Sequence, residues 1–123
     1  MSIKMNVREN NGVSVVDVSG RVTLGDGAIP LREALRDLAT TGHMKILLNL
    51  GEVSYLDSSG LGVLVSTFAT LNSLGGTLKL FNLSSRVKDL LLVTKLYTVF
   101  EVFDDEAVAI NSFTEVETPI VRG

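Results

Sequence analysis

The sequence predicts a single α/β domain built on a mixed, mostly parallel β-sheet of four to five strands with about four α-helices. The chain has 123 residues, 46% of them hydrophobic and 20% charged, which suits one globular core. Strand and helix patterns alternate after an initial hairpin, as in folds with right-handed crossovers. A nearly unbroken apolar run at residues 44–50 is typical of a parallel strand that is covered on both faces.

The N-terminal segment predicts a β-hairpin. Residues 3–8 alternate between apolar and polar side chains, which is the period of a half-buried strand. Asn10-Asn11-Gly12 is a turn signal, because asparagine and glycine adopt positive φ at low cost. The valine-rich residues 13–18 form the second strand, and residues 21–24 extend it briefly.

Helices and strands alternate through the rest of the chain. The first helix begins between Asp26 and Pro30 and ends at Gly42. The later elements are predicted at residues 58–74 (helix), 77–81 (strand), 84–92 (helix), 99–103 (strand) and 104–113 (helix). The domain is therefore expected to span residues 1–113, and residues 114–123 are expected to form a flexible tail with little to bury.

Two apolar stripes predict which faces of the first two helices are buried. The first helix has the stripe Ile29, Leu31, Ala34, Leu35 and Leu38. The second has the stripe Leu61, Leu64, Val65, Phe68 and Leu71. Val63, Ser66, Thr67 and Thr70 fall off this second stripe, and those nearest Ser58 are predicted to contact a partner.

Composition argues against several classes of function. The net charge of −3 and the lack of a basic run argue against nucleic acid or an anionic membrane as a direct partner. The chain has no cysteine and one histidine, His43, which lies where a helix C-terminus favours a cation. Asp104-Asp105-Glu106 matches the dipole of a helix N-terminus more simply than a metal site. We therefore expect no enzyme activity, no cofactor and no metal.

The N-terminus has no signal-peptide pattern, and no apolar run reaches the length of a membrane span. A cytoplasmic location is therefore expected.

The segment Asp57-Ser58-Ser59-Gly60 lies where the apolar strand gives way to the second helix. One interpretation is a helix cap, in which Asp57 or Ser58 accepts a backbone N–H, worth about 1 kcal/mol. The other is a phosphate acceptor, since phosphoserine adds about −1.5 to −2 charges and a helix N-terminus tolerates an anion. A partner docked over the helix end would then meet a bulky dianion. The second interpretation predicts a binding switch.

Gly60 and Gly62 each cost about 1 kcal/mol in a helix relative to alanine, so some compensation is expected. Tight packing of the first turn against the sheet would explain them. Close approach of a partner backbone to the hydroxyl groups would explain them equally well.

Three segments resemble the bacterial anti-sigma factor antagonists of the STAS domain family. They are Leu48-Asn49-Leu50, Val53-Ser54-Tyr55-Leu56-Asp57-Ser58-Ser59-Gly60-Leu61-Gly62-Val63-Leu64, and Leu74-Gly75-Gly76-Thr77-Leu78-Lys79-Leu80. The resemblance extends in element order over roughly residues 3–113. The Asp-Ser-Ser-Gly-Leu-Gly core after an apolar strand is its most specific part.

The resemblance implies a four-helix STAS-type domain that switches partners. The unmodified antagonist binds an anti-sigma factor, a serine kinase with the histidine-kinase-like ATPase fold, and so releases the sigma factor. Phosphorylation of Ser58, with Ser59 as the second candidate, ends binding, and a PP2C-type phosphatase restores it. The implied partner-binding residues are Thr23, Asp57, Ser58, Ser59, Gly60, Gly62, Val63, Ser66 and Thr67.

One segment departs from the family pattern. Many members carry an acidic Gly-x-Leu-Asp segment after the second strand, where this chain has Gly20-Arg21-Val22-Thr23. The departure is compatible with an altered partner. It is also compatible with the alternative that the chain is a non-phosphorylated STAS interaction module, either a scaffold in a signalling complex or a lipid-transporter subunit. In that alternative Ser58 serves only as a cap.

Overall fold

A computed structural model of the protein describes residues 3–114. The strands are β1 (Ile3–Asn10), β2 (Val13–Val22), β3 (Lys45–Leu56), β4 (Thr77–Phe81) and β5 (Val102–Phe103). The helices are α1 (Ala28–Thr40), α2 (Ser58–Ser73), α3 (Ser85–Thr94) and α4 (Glu106–Thr114), with a short 3-10 helix at Leu96–Thr98. The predicted tail lies outside the described residues except for Thr114, which ends α4.

The described strands form one five-stranded sheet in the order β1-β2-β3-β4-β5. The first pair is antiparallel and every later pair is parallel. The hairpin turn has positive φ at both Asn11 (53°) and Gly12 (83°), which matches the right-handed twist of the strands. The predicted mixed, mostly parallel α/β fold is confirmed.

Strand β3 is longer than the predicted residues 44–50. Its second half pairs with β2 through a register shift, and Gly20 at φ 102° accommodates the irregularity. Because only Val53 and Leu56 of this half are buried, the half needs few apolar residues, and its sequence lacks the apolar run that marks the first half. The prediction that the strand ends at Leu50 was wrong for this reason.

Strand β5 is shorter than the predicted residues 99–103. The 3-10 helix Leu96–Thr98 turns the chain, and Phe100 enters the core at 4% exposure before the strand begins. Only Leu80 with Val102 and Phe81 with Phe103 then pair across the sheet.

The sheet separates two apolar clusters. The larger one contains buried residues of α1, α2 and α3, such as Leu35, Leu64 and Leu91. The smaller one contains Ala109, Ile110 and Phe113 of α4 packed on the opposite face. Three helices therefore cover one face of the sheet and α4 alone covers the other.

The buried faces of α1 and α2 differ from the predicted stripes. Ile29 and Val65 are 45% and 38% exposed, so their assignment to the core was wrong. Val63 and Thr67 are instead buried at 6% and 8% exposure. The reason is that α1 and α2 pack against each other as well as against the sheet, which widens and rotates the buried arc.

Polar side chains attach α4 to the edge strand β1. Arg8 donates from both terminal nitrogens to Glu106, at 2.8 Å each, and from Nε to Asp17 at 2.8 Å. Asn10 donates to Glu106 at 2.9 Å. These hydrogen bonds lower the pKa of both carboxyl groups, with the bond from Arg8 as the largest cause in each.

Within residues 3–114, no helix is both long enough and apolar enough to cross a membrane.

Candidate functional site at the start of α2

Asp57 links two segments of backbone. Its Oδ1 accepts a hydrogen bond from Gly60 N at 3.0 Å, which makes it the N-cap of α2. Its Oδ2 accepts from Leu24 N at 3.1 Å, in the connection between β2 and α1. The bonds from Gly60 and then Leu24 lower the pKa of the carboxyl group. The cap interpretation is confirmed for Asp57, whose two oxygens both accept from backbone amides.

The β2–α1 connection is held firmly beside the start of α2. Asp57 N donates to Val22 O at 3.4 Å, and Thr23 O accepts from Asp26 N and Ala28 N at 3.1 and 3.0 Å. Because β2 and β3 are parallel, their carboxyl ends meet at one edge of the sheet. Thr23 lies at this edge but is only 8% exposed.

The two adjacent serines have different surroundings. Ser58 is the first residue of α2 and is exposed. Ser59 is half-buried and lines a concavity of about 300 Å³ between α1 and α2. The concavity is lined by Leu24, Ala28, Ile29, Arg32, Ser59, Gly62, Val63 and Ser66. A bulky substituent therefore has more space on Ser58 than on Ser59.

Gly60 and Gly62 are explained differently. A Cβ atom at Gly60 would collide with the carbonyl oxygen of Val22 and lie 2.5 Å from Leu56 Cδ1, so packing requires glycine. A Cβ atom at Gly62 would meet no atom within 4 Å, and this residue is exposed. Packing thus explains why residue 60 is glycine, whereas no contact with a described residue requires glycine at position 62.

The remaining predicted contact residues divide by depth. Ser66 is exposed, and its hydroxyl donates to Val63 O at 3.2 Å. Val63 and Thr67 lie beneath the surface between α1 and α2, so their placement off the core stripe was wrong. Val63 lines the concavity from beneath, whereas Thr67 lines a separate hollow together with Ser66 and Thr70.

Sequence reasoning missed Leu24 and Ile29 as components of this surface. Leu24 is 67% exposed in the segment held by Asp57, and Ile29 is 45% exposed in the first turn of α1. The signal for Leu24 was an apolar residue standing directly before the turn residues Gly25 and Asp26.

The chemistry that this site offers is that of a surface hydroxyl group. The carboxylate nearest to Ser58 in sequence, Asp57, is occupied by backbone amides. His43 follows the far end of α1, where its Nδ1 lies 3.1 Å from the Thr41 hydroxyl. Among the described residues, no three acidic or histidine side chains are grouped to hold a metal ion. The arrangement suits a modifiable hydroxyl on a docking surface.

Comparison with known proteins decides the family. The profile of the STAS domain matches residues 4–109. The chain belongs to the STAS domain family. It is 37% identical over 102 residues to the anti-sigma-B factor antagonist of Bacillus subtilis (strain 168), covering 83% of this chain and 92% of that protein.

Solved structures share the STAS fold. An anti-sigma factor antagonist from Mycobacterium paratuberculosis superposes with a TM-score of 0.82 at 24% identity, covering 90% of this chain and 93% of that one. The anti-sigma factor antagonist SpoIIAA in its unphosphorylated form gives 0.77 at 20% identity, covering 97% and 100%. The Bacillus cell fate determinant SpoIIAA in its phosphorylated form gives a TM-score of 0.71 at 19% identity, covering 89% of this chain and 99% of that one. The resemblance stated from the sequence is confirmed.

Proposed function

We propose that this chain is an anti-sigma factor antagonist, whose unmodified form binds an anti-sigma factor and so releases a sigma factor. The identity to the B. subtilis antagonist over most of both chains supports this function. The observation that carries the proposal is the exposed Ser58 at the first position of α2, beside the open surface at Gly62.

Ser58 is the proposed phosphate acceptor, and Ser59 is the second candidate because it is half-buried. Ser58 is exposed at the positive end of the α2 dipole, which tolerates an added dianion, so the fold survives modification. A partner docked over phosphorylated Ser58 would have to remove water from a phosphate group that carries about two negative charges, and this cost weakens binding. The phosphorylating partner is a serine-kinase anti-sigma factor with the histidine-kinase-like ATPase fold, and a PP2C-type phosphatase reverses the reaction.

The contact surface centres on Ser58 and the exposed residues around the neighbouring concavity. Leu24, Ile29, Ser59, Gly62 and Ser66 form its rim. Asp57 and Gly60 hold the first turn in place, while Thr23, Val63 and Thr67 support the surface from beneath. The protein acts in the cytoplasm by binding, without catalysis of its own.

The decisive experiment compares two exposed serines of the same helix. Ser73 is the last residue of α2, so Ser73→Asp adds the same charge away from the proposed contact surface. Wild type, Ser58→Ala, Ser58→Asp and Ser73→Asp are immobilised and exposed to lysate of the host. Any captured anti-sigma factor is identified and quantified by mass spectrometry. We expect Ser58→Asp to bind at least about tenfold more weakly, while Ser58→Ala and Ser73→Asp bind like wild type.

The same material tests the modification. Peptide mass spectrometry of the protein from its host is expected to show phosphate on Ser58. Absence of phosphate, together with undiminished binding by Ser58→Asp, would contradict the switch. That result would favour the non-phosphorylated STAS scaffold.

A further inference from the structure

We propose that Arg21, Tyr55 and Arg86 form a second contact area, the arginine–tyrosine cluster, which binds an acidic segment of the protein partner. The proposal rests on the proposed function in that it requires a protein partner at this edge of the sheet. It does not require that Ser58 be phosphorylated.

The cluster is built by three elements. Arg21 of β2 and Tyr55 of β3 are register partners, and the Arg21 Cζ atom lies 5.2 Å from the centroid of the tyrosine ring. Arg86, in the first turn of α3, places its Cζ atom 5.4 Å from the same centroid. Tyr55 remains 39% exposed, so the ring and its two guanidinium groups are available to a partner.

The charges of the cluster are incompletely balanced within the described part of the chain. Arg21 is paired with Asp26 at 3.1 Å, but its side chain is still 54% exposed. Arg86 is exposed and makes no ion pair with any described residue. It also lies at a helix N-terminus, where the dipole disfavours a cation. A carboxylate bound to either guanidinium group would balance its charge, and one bound to Arg86 would also offset the unfavourable helix dipole.

The surface next to the cluster indicates what else the partner segment carries. A concavity of about 250 Å³ is lined by Tyr55, Leu56, Arg86, Asp89, Leu90 and Val93. Val93 is 79% exposed and gives this concavity an apolar wall. Asp89 also lines it, so the attraction for an acidic group comes from the side of the two arginines. An acidic segment with an apolar side chain fits this surface.

The position of the cluster connects it to the candidate site. Tyr55, near the end of β3, precedes Ser58 by three residues, and Arg21, near the end of β2, precedes Thr23 by two. A partner over Ser58 therefore reaches the cluster without leaving this edge of the sheet. The overall net charge of −3 disfavours a long polyanion such as nucleic acid, while a short acidic segment responds mainly to the local arginines.

The first test uses a defined probe. A short synthetic peptide of alternating glutamate and leucine is titrated into the isotope-labelled full chain, and the arginine side-chain and tyrosine ring signals are followed by NMR. We expect saturable shifts at Arg21, Tyr55 and Arg86 and none with a glutamine-for-glutamate peptide. Arg21→Gln/Arg86→Gln should weaken binding at least about fivefold.

The matched control removes the same charge elsewhere. Lys4 and Arg36 are exposed and make no ion pair with a described residue, so Lys4→Gln/Arg36→Gln should bind the peptide like wild type. Equal weakening in the two double variants would mean nonspecific charge attraction and would overturn the proposal. So would tighter saturable binding of a single-stranded oligonucleotide at the cluster.

A second test separates this proposal from the proposed function. The lysate capture is repeated with Arg21→Gln/Arg86→Gln, with folding checked by thermal denaturation. Loss of capture in this variant but not in Ser58→Asp would support the cluster and contradict the switch. Loss in Ser58→Asp alone would support the switch and overturn the cluster.

Discussion

At the scale of single residues, the candidate site depends on which groups are already occupied. Asp57 uses both carboxylate oxygens to hold backbone amides of Gly60 and Leu24. Ser58, the next residue, has its side chain exposed. One side chain therefore organises the site, and its neighbour is left accessible for chemistry or contact.

Replacing the two glycines with alanine should have opposite effects. Gly60→Ala should destabilise the fold by about 1–3 kcal/mol, because the new methyl group collides with backbone at Val22. Gly62→Ala should stabilise it by about 0.5–1 kcal/mol, because alanine favours the helix and has open space. Urea unfolding of both variants measures the free energies. Destabilisation by Gly62→Ala would show that this position has an internal packing role.

Replacing Asp57 should loosen two separate backbone segments. Asp57→Ala removes the acceptor for both Leu24 N–H and Gly60 N–H, whereas Asp57→Asn keeps one acceptor oxygen. We expect faster amide hydrogen exchange at both residues in Asp57→Ala and at one of them in Asp57→Asn, measured by NMR. Unchanged exchange at Leu24 in Asp57→Ala would contradict the link between the β2–α1 connection and α2.

At the scale of secondary-structure elements, the attachment of α4 combines a small apolar cluster with an ion-pair network. Arg8 contacts Glu106 through two nitrogens and Asp17 through two more contacts, at 2.8 and 3.1 Å. The paired side chains are 26–39% exposed, so solvent screens the network and its contribution is modest. The network fixes the start of α4 against β1, while Phe113 fixes its end.

The attachment of α4 should depend on acid pH. The lowered pKa values of Asp17 and Glu106 mean that their stabilisation is fully present above the ordinary carboxyl pKa. It is lost as the pH falls below the ordinary carboxyl pKa and through the lowered pKa values of these two groups. Arg8→Gln should lower the free energy of unfolding by about 1 kcal/mol near neutral pH and should make that free energy depend less on pH in the acid range. The exposed control Arg36→Gln should leave the pH profile of unfolding unchanged. If the acid pH dependence of unfolding is the same in Arg8→Gln as in wild type, the hydrogen bonds from Arg8 are not the cause of the lowered pKa values.

At the scale of the whole molecule, one sheet is shared by two clusters of unequal size. Strand β3 contributes Ile46 and Leu48 to the larger cluster and Leu47 to the smaller one. All three side chains are fully buried. The central strand β3 therefore contributes buried side chains to the clusters on both faces of the sheet, whereas α4 packs into the smaller cluster only.

Hydrogen exchange followed by mass spectrometry should resolve this difference. Peptides covering β3 should exchange last, at the free energy of global unfolding, and peptides covering α4 should exchange earlier through local opening. Phe113→Ala should accelerate exchange in α4 more than in β3, since it removes an apolar anchor that is 3% exposed. Simultaneous exchange of α4 and β3 would show that the fold opens as one unit.

Sequence patterns were sufficient for the order of the elements. The alternation of apolar runs predicted the hairpin, the parallel sheet and the four helices, and Gly75-Gly76 marked the end of α2 correctly. Strong local signals such as Ser84, which accepts from Val87 N at 3.4 Å, gave reliable helix starts. The cap at Asp57 was predictable for the same reason, because capping depends on residues that are close in the chain.

Tertiary structure decided which helix residues are buried and which residues of the candidate site are packed rather than exposed. Val63 and Val65 look alike in the sequence, yet the contact between α1 and α2 buries the first and exposes the second. A separate contact, between the start of α2 and the end of β2, makes Gly60 a packing requirement through Val22, which lies 38 positions away in the chain. The sequence by itself determined the fold class, the family and the exposed serine motif, since these follow from local pattern and short motifs. The roles of Gly60, Gly62 and the arginine–tyrosine cluster depend on distant segments meeting in space, which local patterns do not specify.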